Sequence, residues 1–207
     1  MYHTVHPMTG TTDPSPSKRA LLLAAVDHVA RNGIRDQSLR QIAAALGTSH
    51  RMLIYHFGSR DGLLVEVVRA VEEQQRQALA ELEASVDAGR SPADVMRLFW
   101  RRLADPALFP HERLFFEIYS RALHGEPDAV PVLDGIVDAW MQPTMVLLGR
   151  LGLPAREAEA HARLGVAVAR GLLLDLLATG DRAAVDDAME QFIAMVEGSL
   201  PPAIPAP

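Results

Sequence analysis

Ser38-Leu39-Arg40-Gln41-Ile42-Ala43-Ala44-Ala45-Leu46-Gly47-Thr48-Ser49-His50-Arg51-Met52-Leu53-Ile54-Tyr55-His56-Phe57 is the stretch on which the fold turns. It reads as two short helices joined by a tight turn. Ser38 is a good N-cap and Gln41, three residues on, completes a capping box, so a helix starts at Leu39. Gly47 ends that helix, because a left-handed backbone costs glycine little. Ser49 then caps a second helix running through Phe57. Ile42, Leu46, Leu53 and Phe57 are spaced to bury one face of each helix against the other and against a third. Ala43, four residues before Gly47, lets the helices cross closely. This is the pattern of a helix-turn-helix, whose second helix enters the DNA major groove. A generic helical hairpin in an all-α domain accounts for a lone Ala-x-x-x-Gly but not for the whole constellation.

Upstream, residues 1–16 have no helical period and read as a disordered tail, with Met8 a possible start. A first helix is expected from Ser17 to Asn32, burying Leu22, Ala25, Val26, Val29 and Ala30 and ending at Asn32-Gly33. The head so defined covers residues 17–62. Downstream, Ser59 caps a long fourth helix with an apolar seam of Leu63, Leu64, Val67, Val68, Val71 and Leu79, expected to reach Val86 and stop at Asp87-Ala88-Gly89. Ser91-Pro92 opens a fifth helix through Ala104. A sixth is expected over 111–123, a seventh over 129–150 kinked or divided by Pro143, an eighth over 155–178 and a ninth over 182–197. Residues 63–200 thus form a helical body, and 201–207 a second disordered tail. No strand-like alternation or internal repeat appears, so the chain is all-α with about nine helices.

Composition narrows the function. Of 207 residues 49% are apolar, ordinary for a globular protein, and Leu and Ala dominate. The chain has no cysteine, which excludes disulfides, thiolate catalysis and Cys-ligated zinc. No apolar run reaches the ~18 residues of a membrane span, and the polar N-terminus lacks a signal-peptide core. A soluble cytoplasmic protein is the expectation. The net charge of −6 divides unevenly: residues 1–68 carry seven basic and five acidic side chains, a net of +2, leaving −8 on the rest. A basic head on an acidic body confines phosphate attraction to the head. His3 and His6, in the tail, and His50 and His56, six residues apart on a helix, do not make metal pairs. Glu117, His124 and Asp138 come with no nucleophile or ligand spacing, so no enzyme, metal or cofactor is expected.

Three helices making a head, and a long fourth joining it to an acidic helical body, give a chain that resembles the TetR family of bacterial transcriptional regulators. The resemblance is specific over about Leu22 to Val68, where Ile42-Ala43, Leu46-Gly47, Ser49, Leu53, Tyr55-His56-Phe57, Ser59 and Leu63-Leu64 fall at the family's spacings. Beyond that it rests on helix count and on Arg170-Gly171-Leu172-Leu173-Leu174 near the expected eighth helix. Arg51-Met52 replaces a small pair usual in the family, Ile54 replaces a phosphate-contacting tyrosine, and Arg60 replaces a lysine. The resemblance implies a homodimer that binds operator DNA and answers to a small-molecule effector; the expectation is a repressor on a palindromic operator, released by a small apolar or amphipathic effector.

The DNA contacts sort by chemistry. Ser38, Thr48 and Ser49 lie at helix starts, where hydroxyls and free N–H groups suit phosphate oxygens. Lys18 and Arg60 are also phosphate candidates. Base readout is expected from Arg40, His50, Arg51, Met52 and Tyr55, an arginine making bidentate contact to guanine and Met52 meeting a thymine methyl. In the body, Met96, Phe99, Trp100 and Leu103, then Phe115, Phe116 and Tyr119, then Trp140, Met141 and Met145 form Met-rich and aromatic faces. Plain core packing competes with an apolar effector pocket at each of them. His111, Glu117, Arg121, His124 and Gln142 are the polar candidates beside it. Leu164, Val168, Leu172, Leu176, Val185, Met189, Phe192 and Val196 form stripes on the last two helices consistent with a four-helix dimer interface. The alternative reading is a small-molecule-binding or interaction protein whose head no longer reads DNA, with Ile54 its main support.

Overall fold

The computed structural model describes residues 16–34, 37–85, 89, 91–150 and 152–199, and the described residues form nine α-helices and no strand. Three of them make the head: α1 (Pro16–Asn32), α2 (Leu39–Ala45) and α3 (His50–Phe57). The local chemistry read from the sequence is in place. Ser38 Oγ accepts from the Gln41 amide while Gln41 Oε1 accepts from the Ser38 amide at 2.8 Å, closing the capping box. Gly47 sits at φ +66°, in the left-handed region, and Ser49 Oγ accepts from the Met52 amide at 3.2 Å. Ile42, Leu53 and Val29 are wholly buried where the three helices meet.

Helix α4 (Arg60–Ala84) leaves the head behind its Ser59 cap and runs for 25 residues, a length of about 37 Å. Its start is pressed against the end of α3: a Cβ at Gly62 would lie 2.2 Å from the Phe57 carbonyl oxygen. The body continues with α5 (Pro92–Leu103), a 3-10 turn at Pro106–Leu108, α6 (Phe109–Leu123) and a second 3-10 turn at Val130–Leu133. It closes with α7 (Asp138–Arg150), α8 (Ala155–Thr179) and α9 (Arg182–Gly198).

Three expected boundaries move. The seventh helix starts at Asp138 rather than 129, because Pro131 and Gly135, at φ +69°, impose a 3-10 turn and a reversal first. Pro143 lies inside α7 without dividing it, and the next residue's Thr144 Oγ1 donates to the Trp140 carbonyl at 2.7 Å. Helix α6 begins two residues early, with Pro110 in its first turn. Helix α4 ends at Ala84. Val86, Asp87 and Ala88 of its expected stop, most of residues 1–16 and all of 201–207 lie outside the described residues.

The head does not own a separate core. Val29, Ile42, Leu53, Leu63 and Leu64 belong to one buried cluster with Leu114, Ile118 and Ala122 of α6 and Val132 and Ile136 beyond it. A second cluster joins α5, α7, α8 and α9 around Trp100, Leu148, Leu176 and Ile193. Helices α4 and α6 therefore touch both the head and the body, and any shift in either helix reaches both.

Candidate nucleic-acid interface and body cavity

On α3 the apolar residues Leu53 and Phe57 point into the core, four residues apart. The rest of the helix faces outward: His50, Arg51, Met52, Ile54 and Tyr55 are exposed, Tyr55 at 78%. Arg40 on α2 is exposed beside them, Thr48 is half-buried, and the Ser49 hydroxyl keeps its proton free for an outside acceptor. Eight residues give an outward face carrying one arginine, one histidine and three apolar or aromatic side chains. That composition suits base edges and thymine methyls better than it suits water.

Three expected phosphate ligands are instead tied into the head. Arg60 donates through Nε to the Gln37 carbonyl at 2.7 Å and through Nη2 to the Ile34 carbonyl at 3.2 Å, tying the chain ahead of α2 to the start of α4. Lys18 pairs with Glu66 Oε1 at 3.0 Å and lies 5.5 Å from the Phe57 ring centroid. Ser38 spends its hydroxyl proton on Gln41 Oε1 at 2.8 Å. A basic residue flanking a recognition helix is as useful for closing loop carbonyls as for holding phosphate, and sequence spacing does not separate the two uses.

The body forms a partly open cavity of about 130 Å³ between α4, α5, α6, α7, α8 and α9. Seven expected residues line it: Met96, Phe99, Trp100, Leu103, Phe115, Phe116 and Trp140. Three do not. On α7 the cavity face is Trp140, Thr144 and Leu147, spaced by four and three, so Met141 and Met145 are rotated away into the neighbouring core. Tyr119 stacks with Phe115 at 5.5 Å and packs toward the head's core.

None of the five polar candidates lines the cavity. His111 lies 3.0 Å, through Nε2, from the Val26 carbonyl of α1, its buried Nδ1 without a partner. Arg121 pairs with Asp61 at 2.9 and 2.5 Å and with Glu126 at 2.6 Å. His124 stays with its own helix, Gln142 is exposed, and Glu117 faces a different groove. The polar lining is Glu72, Glu112, Thr144 and Arg170. Burial pushes the Glu112 carboxyl up to about 8, helped by the nearby Glu72 charge and opposed by Arg170. Burial also raises Glu72, against the hydrogen bond that Trp140 Nε1 donates to its Oε2 at 2.6 Å. Arg170 donates to the Ile136 carbonyl at 2.7 Å and lies 5.3 Å from the Phe115 ring. The missed residues carried a readable signal. Glu72 sits in step with Val68, Gln75 and Leu79, and Glu112 three residues before Phe115, so each is a charge on an apolar stripe.

The expected dimer stripes are corrected in part. Leu176, Val185, Met189, Phe192 and Val196 are each at most 9% exposed within one chain, because α9 turns its apolar stripe inward onto α5 and α8. Val168 and Leu172 are half-buried against the same core. Leu164 alone of the eight is well exposed, joined on α8 and α9 by Leu174 and by Met195, at 70%.

A helix-turn-helix head shares its core with an all-helical body that forms a largely apolar cavity, the architecture of helical helix-turn-helix regulators. Residues 21–67 match the model of bacterial regulatory proteins of the tetR family. The chain is 26% identical over 162 residues to the HTH-type transcriptional regulator BetI 1 of Chromohalobacter salexigens, covering 76% of this chain and 77% of that one. It is 30% identical over 80 residues to BetI of Stenotrophomonas maltophilia, covering 39% and 40%. A transcriptional regulator from Rhodococcus sp. Rha1 superposes with a TM-score of 0.67 at 22% identity, covering 89% and 97%. Thermus thermophilus FadR, a TetR-family repressor in complex with lauroyl-CoA, gives 0.63 at 18% over 92% and 98%. A candidate regulator from Saccharomonospora viridis in complex with choline gives 0.63 at 21% over 89% and 97%. The helix-turn-helix head, residues 21–67, is thus similar to that of the tetR family of bacterial regulatory proteins, and the all-helical body shares the fold of the structures above. Among the described residues no helix is long and apolar enough to cross a membrane.

Proposed function

We propose that the protein is a homodimeric repressor that binds a palindromic operator and is released by a small molecule held in the body cavity. The observation that carries this is the outward face of α3, where His50, Arg51, Met52, Ile54 and Tyr55 stand exposed on a helix anchored by Leu53 and Phe57. Arg51 and Arg40 read guanine, Met52 and Ile54 meet thymine methyls, and Thr48, Ser49 and the free N–H groups of α3 take phosphate. Lys18 and Arg60 set the head's shape instead. Two recognition helices reach successive major grooves only from a dimer that sets them about 34–36 Å apart. Its interface is the exposed face of α8 and α9 carrying Leu164, Leu174 and Met195.

Release follows from how α6 is held. One face of α6 brings Glu112, Phe115 and Phe116 to the cavity. The same helix contacts α1 through His111 and Val26, and the start of α4 through Arg121 and Asp61. A molecule that fits a slightly shifted α6 thereby favours a different head position. Coupling of about 1–3 kcal/mol would change operator occupancy roughly 5–150-fold. The lauroyl-CoA and choline in complex with two structural neighbours support the body as an effector site without identifying this chain's own.

The test is binding of the full chain to duplex fragments of its own promoter region, with stoichiometry measured by sedimentation. Two protomers per site are expected. Leu174→Glu should give monomers and lose specific binding. Equal binding by the monomeric variant would remove the dimer from the mechanism, and no specific fragment at all would leave a protein whose head does not read DNA.

A further inference from the structure

Glu72 and Glu112 put two carboxyl groups on the wall of a cavity otherwise lined by aromatic and aliphatic side chains. They are not equivalent. Glu72 is held by the Trp140 indole N–H, whereas Glu112, only 7% exposed, receives no hydrogen bond from any described residue. Among the described lining residues Arg170 is the single cation, and it is partly spent on the Ile136 carbonyl and the faces of Phe115 and Tyr119. Half-buried Glu72 has Trp140, Arg170 and Arg76 to offset its charge, whereas buried Glu112 has only the shared Arg170, so its ionised form would be a poorly compensated negative charge in a low-dielectric space. Without a ligand that charge is quenched by a proton, and Glu112, pushed up to about 8, is where the proton sits.

We propose, resting on the reading of this cavity as the effector site, that the effector is an organic cation with an apolar body, its charge neutralised by Glu72 and Glu112 and its apolar part packed on Trp140, Phe99 and Phe115. A buried, unpartnered carboxyl on a cavity wall is a costly feature for an apolar ligand and an ill-suited one for an anion. For a cation it is the missing counter-charge, and the surrounding rings add cation–π attraction. Binding then exchanges one proton for one cation: the Glu112 O–H bond breaks, its electron pair stays as carboxylate, and the proton leaves to solvent. The groups facing Glu112 are Glu72 from α4, with Arg76 behind it, and Arg170 from α8. On α6 itself His111 faces Val26 and Tyr119 lies by Arg170. Helices α5, α7 and α9 bring no titratable side chain to the lining.

Calorimetric titration of the full chain with benzyltrimethylammonium, 3-phenylpropan-1-ol and 3-phenylpropanoate separates cation, neutral molecule and anion. The cation should bind at least about tenfold more tightly than the other two at pH 8. Its affinity should rise about tenfold per pH unit from pH 6 to 7.5 and level off above 8, with close to one proton released per site at pH 7. Glu112→Gln, the neutral isostere of the resting side chain, should abolish the proton release and the pH dependence. Glu72→Gln should weaken cation binding at every pH. Tighter binding of the alcohol or the anion, or cation binding that ignores pH, overturns the cationic class and leaves the effector site standing. If none of the three binds and none changes affinity for promoter DNA, both readings fail.

Discussion

Replacing Glu112 by Gln should stabilise the protein, and the gain should grow with pH. The folded carboxyl is displaced from 4.5 to about 8 by burial first, then by Glu72. Below pH 4 both folded and unfolded chains hold the proton, and the residue costs nothing. Between about 4.5 and 8 the unfolded chain gives up a proton that the folded one keeps, so folding stability falls by ~1.4 kcal/mol per pH unit. Above 8 both are ionised and the loss stops growing, at roughly 5 kcal/mol. Gln keeps the shape of the protonated side chain and never ionises. Chemical denaturation of both proteins at pH 5, 6, 7 and 8, at one fixed protomer concentration, measures the difference directly, and titrating groups that do not couple to Glu112 cancel. The variant should gain about 2 kcal/mol relative to wild type between pH 5 and 6.5 and a similar amount again by pH 8. A difference that does not change with pH would refute the buried, unpartnered carboxyl.

Other outcomes test the joints of the structure. Gly62→Ala would press a methyl group onto the Phe57 carbonyl oxygen 2.2 Å away; a loss of roughly 2 kcal/mol in thermal or chemical unfolding is expected. Asp61→Asn removes the carboxylate that Arg121 and Arg60 hold below its usual range. A destabilisation of about 1–2 kcal/mol is expected at neutral pH. Because the wild-type contribution is present above about 3.8 and lost as pH falls below it, the difference should vanish in acid. The same variant should reduce the effect of a bound effector on operator affinity, measured by anisotropy, since it cuts one of two polar links between α6 and the head.

The head was legible because each of its decisions is local. Capping by Ser38, Ser49 and Ser59 and the left-handed Gly47 act within four residues, and Leu53 and Phe57 need only a helical period to be placed inward. The body was legible as helices but not as partners. An apolar stripe on α9 satisfies an intramolecular neighbour or a second protomer equally well, and the choice depends on how α5 and α8 approach it. The cavity's charged residues were hidden for the same reason. Glu72 and Glu112 break apolar stripes on helices 40 residues apart in sequence, and only tertiary packing turns two irregularities into one site. Arg60 shows the reverse case, a residue whose charge suggested phosphate and whose geometry serves two loop carbonyls.

Whether α3 reads bases decides the function. Anisotropy titrations of a promoter duplex and a scrambled duplex of equal length, over 50 to 300 mM salt, with wild type and Arg51→Ala, measure this. Wild type should prefer the promoter duplex by at least about 10³-fold, with log affinity falling steeply against log salt, a slope on the order of −5 for six phosphates neutralised. Arg51→Ala should lose about 1–3 kcal/mol per half-site on the promoter duplex and leave scrambled binding nearly unchanged. Equal affinity for both duplexes, or an Arg51→Ala protein indistinguishable from wild type, would contradict it.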